Sequence, residues 1–282
     1  MKGVELRILI AGCGYVGTAL AGLLVRDGHH VWALRRGGVL LPKGAESVQA
    51  DVLKPETLSM LPSGLDAAVY AVSAGGYDEA RYRAAYVDGP RNLLSALKAT
   101  SAQLKRFVFV SSTGVYAQDN GEWVDEDSPA EQTHFSGATL LEGERLVHAG
   151  PFPATVVRLG GIYGPGRTRL IDSVRAGTAT IPAGPSFINL IHRDDCAGIL
   201  RHVLMIKNPA PLYLGVDNEP VDRRELLAWV AEQLGAAKPP VDTSTSSARS
   251  LRGNKRCRNA RLINSGWKPV FASFRDGYSA LL

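Results

Sequence analysis

Cysteine is scarce in this chain, long apolar runs are absent and charge of one sign is nowhere dominant; each of these shortages removes a class of function. The 282 residues include three cysteines, Cys13, Cys196 and Cys257, widely spaced and with no CxxC pair. That pattern gives neither a disulfide framework nor a zinc site, so all three are read as thiols and no metal is expected. Apolar stretches are of strand length, well short of the roughly 20 residues that cross a bilayer, so no membrane span is expected. The opening "MKGVELRILIAG" lacks the apolar stretch and small-residue cleavage site of a secretory signal, and a cytoplasmic location is the expectation. Lys and Arg number 32 against 27 Asp and Glu, a formal charge of +5, and charged residues make up 21% of the chain. Mixed charge at that density is not a basic arm, and no nucleic-acid partner is expected. One run is concentrated: between Arg249 and Arg261 stand Arg249, Arg252, Lys255, Arg256, Arg258 and Arg261 with no acid among them. It reads either as a solvated face or as a patch that meets a phosphorylated or carboxylated ligand. With no aromatic interleaved, it does not suit single-stranded nucleic acid.

What the chain has is glycine, 30 residues of it, and short apolar runs in alternation with helical patterns. "LRILIAG" precedes a helix over Tyr15 to Asp27; "HVWAL" and "SVQAD" follow; "AAVYAV" precedes a helix over Tyr82 to Ala99; "RFVFVSS" precedes one over Leu140 to His148; then comes "ATVVRL". Runs this short, apolar on both faces, are what a parallel sheet covered by helices requires. Alternation of strand and helix predicts an α/β fold, a Rossmann-type doubly wound parallel sheet. After Leu159 the rhythm loosens into Gly and Pro turns, with a strand at "LYLGV", a helix over Asp222 to Leu234 capped by Asp222, a loop at "KPPVDTSTSS" and a short helix after Phe271. The expectation is a dinucleotide-binding domain over residues 1–159 and a smaller C-terminal α/β substrate lobe over 160–282, with segments near 187–217 returning to the first domain.

Gly12, Gly14 and Gly17 form G-x-G-x-x-G between an apolar strand and a helix, with Tyr15 and Val16 inside the motif. In that context the motif is a fingerprint for dinucleotide binding. Gly12 permits the tight turn, Gly14 lets backbone approach a pyrophosphate, and Gly17 lets helix and strand pack closely. An acidic side chain at the end of the second strand would hold a ribose 2′-hydroxyl, but "ALRRG" puts Arg35 and Arg36 there. Two guanidiniums suit a 2′-phosphate, so the expected cofactor is NADP, with NAD as the alternative. Asp51 and Val52, at the end of the third strand, are placed beside the adenine.

Together with "VSSTGVYA" at Ser111 to Ala117, these motifs resemble the extended short-chain dehydrogenase/reductase superfamily, the NAD-dependent epimerases/dehydratases. The resemblance runs through "GCGYVG", "YVDGPRNLLSAL" from Tyr86, "LLEGERL" from Leu140, "RLGGIYGPG" from Arg158 and "NLIHRDDCAGIL" from Asn189. It departs from the family pattern in the spacing of the first glycines, in Tyr86 at a usual Asn, and in Gly161 at another. The resemblance implies that Ala71, Val72, Ser73, Ser111 and Gly161 join the cofactor site. It also implies a Ser that binds the reacting oxygen, a Tyr that moves the proton and a Lys four residues after it. Ser112 matches the Ser. Ser136 stands at the Tyr and Leu140 at the Lys, and moving the register by one residue offers only Phe135 and Thr139. Losing a positioned acid or base commonly costs roughly 10²- to 10⁴-fold in rate. Two substitutes are His134, since imidazole titrates near neutrality, and Tyr77, on the loop after the fourth strand.

In the second half, the resemblance places Arg158, Tyr163, Gly164 and Pro165 beneath the nicotinamide and Asn189 against the pocket. Asp194 and Asp195 read as caps of a helix that starts near Cys196, and His192, Asp194 and Asp195 match no metal spacing. Arg167 and Arg169, or the run from Arg249, would suit the diphosphate of a nucleotide sugar. The functional expectation is an NADP-preferring oxidoreductase or epimerase-like protein acting on a small carbonyl, hydroxyl or nucleotide-sugar substrate, with Ser112 holding the oxygen. The rival is a catalytically degenerate NADP-binding sensor or partner protein. The resemblance also implies a homodimer.

Overall fold

The computed structural model describes residues 5–38, 40–132, 134–242 and 253–282. Seven parallel strands form its main sheet: β1 (Arg7–Ala11), β2 (His30–Arg35), β3 (Ala45–Gln49), β4 (Ala67–Tyr70), β5 (Arg106–Ser112), β6 (Ala154–Leu159) and β7 (Leu212–Gly215). Their order is β7-β6-β5-β4-β1-β2-β3, so the chain winds outward in one direction from β1 and then returns across it to build the other half. That reversal opens a crevice at the carboxyl ends of the strands.

Successive residues of a strand face opposite layers, and here both layers are apolar. Ile8 and Ile10 of β1 and Val108 of β5 face helices α1 (Tyr15–Arg26) and α4 (Arg193–Met205), through Leu20, Leu24, Ile199 and Leu200. Leu9, Ala11, Phe107 and Phe109 face α2 (Gly89–Thr100) and α3 (Phe135–His148), through Leu93, Leu97 and Val147. A smaller core lies in the second half, where Tyr163, Ile171, Val174, Leu226, Leu227, Val230, Phe274 and Tyr278 pack together. Strand β7 and helix α4, though late in the chain, belong to the main sheet and its cover. No helix among the described residues is long and apolar enough to cross a membrane.

Several local expectations need correction. The helix expected over Tyr82 to Ala99 is three pieces: Glu79–Arg83, a π-helical turn over Ala84–Asp88, and α2. Tyr70 Oη donates to Ala85 O at 2.6 Å, and a Cβ on Gly89 would lie 2.2 Å from that same hydroxyl, so the widened turn accommodates a buried phenol. Helix α3 begins at Phe135, five residues before Leu140. Helix α4 begins at Arg193, with His192 as its cap: His192 Nδ1 accepts from Asp194 N at 3.2 Å. Asp195 caps nothing there; it accepts from Val270 N at 2.7 Å and Phe271 N at 2.9 Å, fastening the C-terminal segment to α4. The Asp222 cap stands as expected, accepting from Arg224 N at 2.7 Å. Of the "KPPVDTSTSS" loop, Val241 and Asp242 pair as a short strand with Ile181 and Pro182, while residues 243–247, like Arg249 and Arg252, lie outside the described residues.

Candidate functional site

At the crevice a cleft of about 870 Å³ follows the ends of β1, β2, β4 and β5. Its floor is the glycine turn. Gly12 has φ +92°, and a Cβ there would lie 2.5 Å from the Ala71 carbonyl carbon and the Val72 nitrogen. Only glycine fits both the conformation and the gap. A Cβ on Gly17 would lie 2.4 Å from Gly12 O, so Gly17 sits behind the cleft and sets the approach of α1 to β1. A Cβ on Gly14 would meet nothing within 4 Å, and the backbone there is open to the cleft. Helix α1 then begins at Tyr15 with no side-chain cap and no acid in its first turn, so its N–H groups and dipole face the cleft without a counter-charge from the chain.

Gly12, Gly14, Tyr15 and Val16 line this cleft from the turn, Arg35 and Arg36 from the end of β2, Asp51 and Val52 from beyond β3, Ala71, Val72 and Ser73 from β4, and Ser111 and Ser112 from β5. Gly161 does not; its neighbours Gly160 and Ile162 do, while Gly161 N donates to Asn189 O at 2.7 Å in a short strand pairing. Asp51 is turned to its own loop, its Oδ1 accepting from Leu53 N at 3.0 Å. Arg35 is the telling member: its Nε and Nη1 are buried and have no hydrogen-bond partner among the described residues. Buried guanidinium donors are costly to leave unpaired, so this geometry fits an anion supplied by a ligand. The open Gly14 backbone, the uncapped helix and the orphaned Arg35 together fit a dinucleotide carrying a 2′-phosphate.

Ser111 and Ser112 are adjacent and differently employed. Ser111 Oγ donates to Glu144 Oε1 at 2.5 Å. Glu144 also receives Arg158 through Nε at 3.0 Å and Nη2 at 2.6 Å, and Arg158 Nη1 donates to Tyr116 Oη at 2.8 Å. Burial pushes the Tyr116 phenol up to about 12, against the pull of Arg158, so Tyr116 keeps its proton and donates it to Asp125 O at 2.7 Å. This closed ion pair, 5% exposed at Arg158 and 6% at Glu144, locks β5, β6 and α3 together directly behind the cleft. Arg158 therefore works as a support and does not reach the cleft. Ser112, by contrast, ends β5 at the cleft; its Oγ accepts from Gly114 N at 3.1 Å, which leaves the hydroxyl hydrogen to be donated outward.

The remaining three candidates converge. Tyr77 Oη lies 3.2 Å from His134 Nδ1 and 3.3 Å from Ser136 Oγ, and those two atoms are 3.3 Å apart. Residues distant in sequence thus form one polar cluster at the start of α3, with the rings of Tyr77 and Phe135 packed at 5.0 Å. The cluster does not line the cleft itself but flanks the turn that follows Ser112: a Cβ on Gly137, next to Ser136, would lie 3.1 Å from Gly114 O, in the turn whose N–H binds Ser112. Leu140, at the expected Lys position, is 4% exposed in an apolar cluster and offers no charge.

Elsewhere the structure redirects expectations. Asn189 bridges backbone rather than facing a pocket: its Nδ2 donates to Lys255 O at 3.0 Å and its Oδ1 accepts from Cys257 N at 2.6 Å. The described part of the basic run is tied to the chain itself, Arg261 to Asp127 at 2.7 Å and Arg256 over the rings of Trp123 and Phe187 at 4.9 and 4.8 Å. No cluster of three metal-ligating side chains occurs among the described residues. Sequence reasoning missed Glu144 as a support. The signal was its place on the apolar stripe of α3 with Leu140 and Val147, where an acid needs a buried partner.

Known proteins share this fold. Residues 8–197 match the NAD dependent epimerase/dehydratase family. A 3-diazoavenalumate denitrifying reductase from Streptomyces is 30% identical, the match covering 96% of this chain and 99% of the reductase. A solved Methylobacillus flagellatus protein, described as an NAD-dependent epimerase/dehydratase, is 38% identical with a TM-score of 0.84, over 99% of this chain and 98% of that one. Human epimerase family protein SDR39U1, solved with NADPH, shares the fold at 22% identity and a TM-score of 0.80, covering 98% of each chain. Matched by the family over most of its length and by a relative from end to end, the chain belongs to the NAD dependent epimerase/dehydratase family.

Proposed function

We propose that the protein is an NADP-dependent reductase or epimerase-like oxidoreductase acting on a small carbonyl or hydroxyl compound, with Ser112 holding the reacting oxygen. The observation that carries this reading is Arg35: a guanidinium with two buried, unpartnered donors, in one cleft with the open glycine turn and Ser112. Gly12, Gly14, Tyr15 and Val16 would hold the pyrophosphate side, Arg35 and Arg36 the 2′-phosphate, Asp51 and Val52 the adenine side, and Ala71, Val72 and Ser73 the stretch toward Ser112. Support comes from the Streptomyces relative, named a reductase, and from the human protein solved with NADPH. A carbonyl substrate is favoured over a nucleotide sugar because Arg256 already donates through Nε to Gly121 O at 2.8 Å and Arg261 is paired with Asp127 at 2.7 Å.

Held by the glycine turn and Arg35, NADPH would supply a hydride to the carbonyl carbon. Ser112 donates its hydroxyl hydrogen bond to the oxygen and orients it. Tyr77 gives its phenolic proton to that oxygen as negative charge develops, and the Tyr77 oxygen, 3.2 Å from His134 Nδ1, regains a proton by way of the imidazole. The imidazole recovers its proton from solvent, so one hydride and one proton convert carbonyl to alcohol. Ser136 holds Tyr77 and His134 in register.

Calorimetric titration with NADPH and NADH, on wild type and Arg35→Ala, tests the cofactor. NADPH affinity is expected to fall about 10- to 100-fold in the variant, toward the NADH value; equal affinities throughout would overturn NADP preference. Tyr77→Phe is then expected to lose about 10²- to 10⁴-fold of NADPH consumption across a panel of 3-oxo acids and esters while binding NADPH normally. Tight NADPH binding with no turnover of any carbonyl would favour the second reading, an NADP-binding sensor or partner protein, for which the buried Leu140 at the Lys position is the supporting observation.

A further inference from the structure

Besides Arg35, Arg36 and Arg81, the last of which is paired with Asp78, the cofactor cleft contains Arg167. Arg167 lines the cleft beside the glycine turn, although it belongs to the start of the second lobe. A tight turn delivers it there: Gly164 adopts φ +137°, and Arg167 N donates to Gly164 O at 2.9 Å. The turn is latched onto helix α1, since Tyr15 Oη donates to Pro165 O at 2.9 Å. A Cβ on Gly164 would lie 3.0 Å from that hydroxyl and 3.1 Å from His192 Nε2, so the latch depends on glycine at this position. Above it the Arg167 guanidinium lies 4.1 Å from the centroid of the Tyr15 ring. The neighbouring Arg193, at 5.3 Å from the same ring, is neutralised by Asp194 at 2.9 Å. Arg167 has no carboxylate partner among the described residues, and the first turn of α1 below it has no acid.

A planar cation held flat on an aromatic face keeps its N–H edge available, and a guanidinium presents that edge in a fork suited to phosphate. Its place over the Tyr15 ring, next in sequence to the open Gly14 backbone, brings it to the same end of the cleft as the uncapped helix N–H groups. We propose that Arg167 closes over the cofactor's pyrophosphate, so that the dinucleotide is held between the glycine turn of the first domain and an arginine of the second lobe. The inference rests on the cofactor reading and extends it: the arginine serves the cofactor instead of a substrate diphosphate, and cofactor binding pins the entry segment of the second lobe.

Calorimetry on the full chain separates the two arginines by probe. NADPH and NADH both carry a pyrophosphate, whereas adenosine 2′-monophosphate carries only the 2′-phosphate. Arg167→Ala is expected to weaken NADPH and NADH alike by about 10- to 100-fold, to leave adenosine 2′-monophosphate within about two-fold, and to flatten the salt dependence of NADPH binding. Arg35→Ala should show the reverse pattern, weakening NADPH and adenosine 2′-monophosphate but sparing NADH. Arg167→Met, which keeps the apolar stem on Tyr15 without the charge, should behave as Arg167→Ala. Dinucleotide affinities unchanged in both Arg167 variants would overturn the clamp while leaving the Arg35 reading in place. Failure of the wild type to bind either dinucleotide would overturn both.

Discussion

Asp217, two residues beyond β7, is 2% exposed and half-satisfied: its Oδ1 accepts from Glu219 N at 3.1 Å, and its Oδ2 has no partner among the described residues. Burial pushes its carboxyl up to about 8, with the charges of Glu219, Asp195 and Asp276 adding to the effect against the Glu219 N–H bond. In the unfolded chain it ionises near the ordinary value of about 3.9. Between those limits the unfolded state binds fewer protons, so the residue's contribution is fully present below about pH 4 and is lost as pH rises toward 8. Asp217→Asn keeps the acceptor for Glu219 and removes the charge. It should melt higher than wild type at pH 8, by an amount on the order of 1 kcal/mol or about 2–4 °C, and the gap should close toward pH 4. A gap independent of pH would show that Asp217 is ionised in the fold.

At the scale of elements, α3 is governed by how closely it approaches the π-helical turn. A Cβ on Gly143 would lie 2.1 Å from Tyr86 O, a backbone atom that cannot swing away, and 3.2 Å from the Phe109 ring. In an exposed helix a Gly-to-Ala change gains up to about 1 kcal/mol of propensity. Here overpacking should outweigh that gain, and Gly143→Ala is expected to lower stability by about 1–3 kcal/mol in a denaturant titration. A stabilised variant would mean that α3 is free to back away from Tyr86. The same close approach explains the sequence misreading of this region: a helical pattern reports which face is buried but not that Tyr70, from another element, interrupts the helix through Ala85 O.

For the whole molecule, polar fastenings join the packing of Leu262 and Trp267 in connecting the main sheet with the end of the chain. Asp195, 1% exposed on α4, holds the Val270 and Phe271 N–H groups just before the final helix, Phe274–Ser279. Asp195→Ala leaves two backbone donors without their acceptor, each costing about 1–3 kcal/mol if it stays buried. The expected outcome is faster limited proteolysis within the C-terminal segment and a lower melting temperature. Proteolysis at the wild-type rate would show that packing of Phe274 and Tyr278 alone fastens the end of the chain.

The sequence by itself determined the fold class and the floor of the cleft, because both rest on local rules. Apolar runs alternate with helical patterns, and Gly12 is required wherever a strand turns this tightly into a helix. By resemblance it aligned Ser136 and Leu140 with a Tyr and a Lys, and it named Tyr77 and His134 as candidates without relating them. Only the tertiary structure decided that Tyr77, His134 and Ser136 share one cluster, that Glu144 and Arg158 are a buried support, that Arg35 has donors left over, and that Arg167 returns from beyond β6 to the cleft at the glycine turn. Such contacts span from 14 to 150 positions along the chain. Side-chain periodicity carries information over one turn or one strand, whereas contacts of that separation are set by how the sheet orders its strands and where each crossover lands.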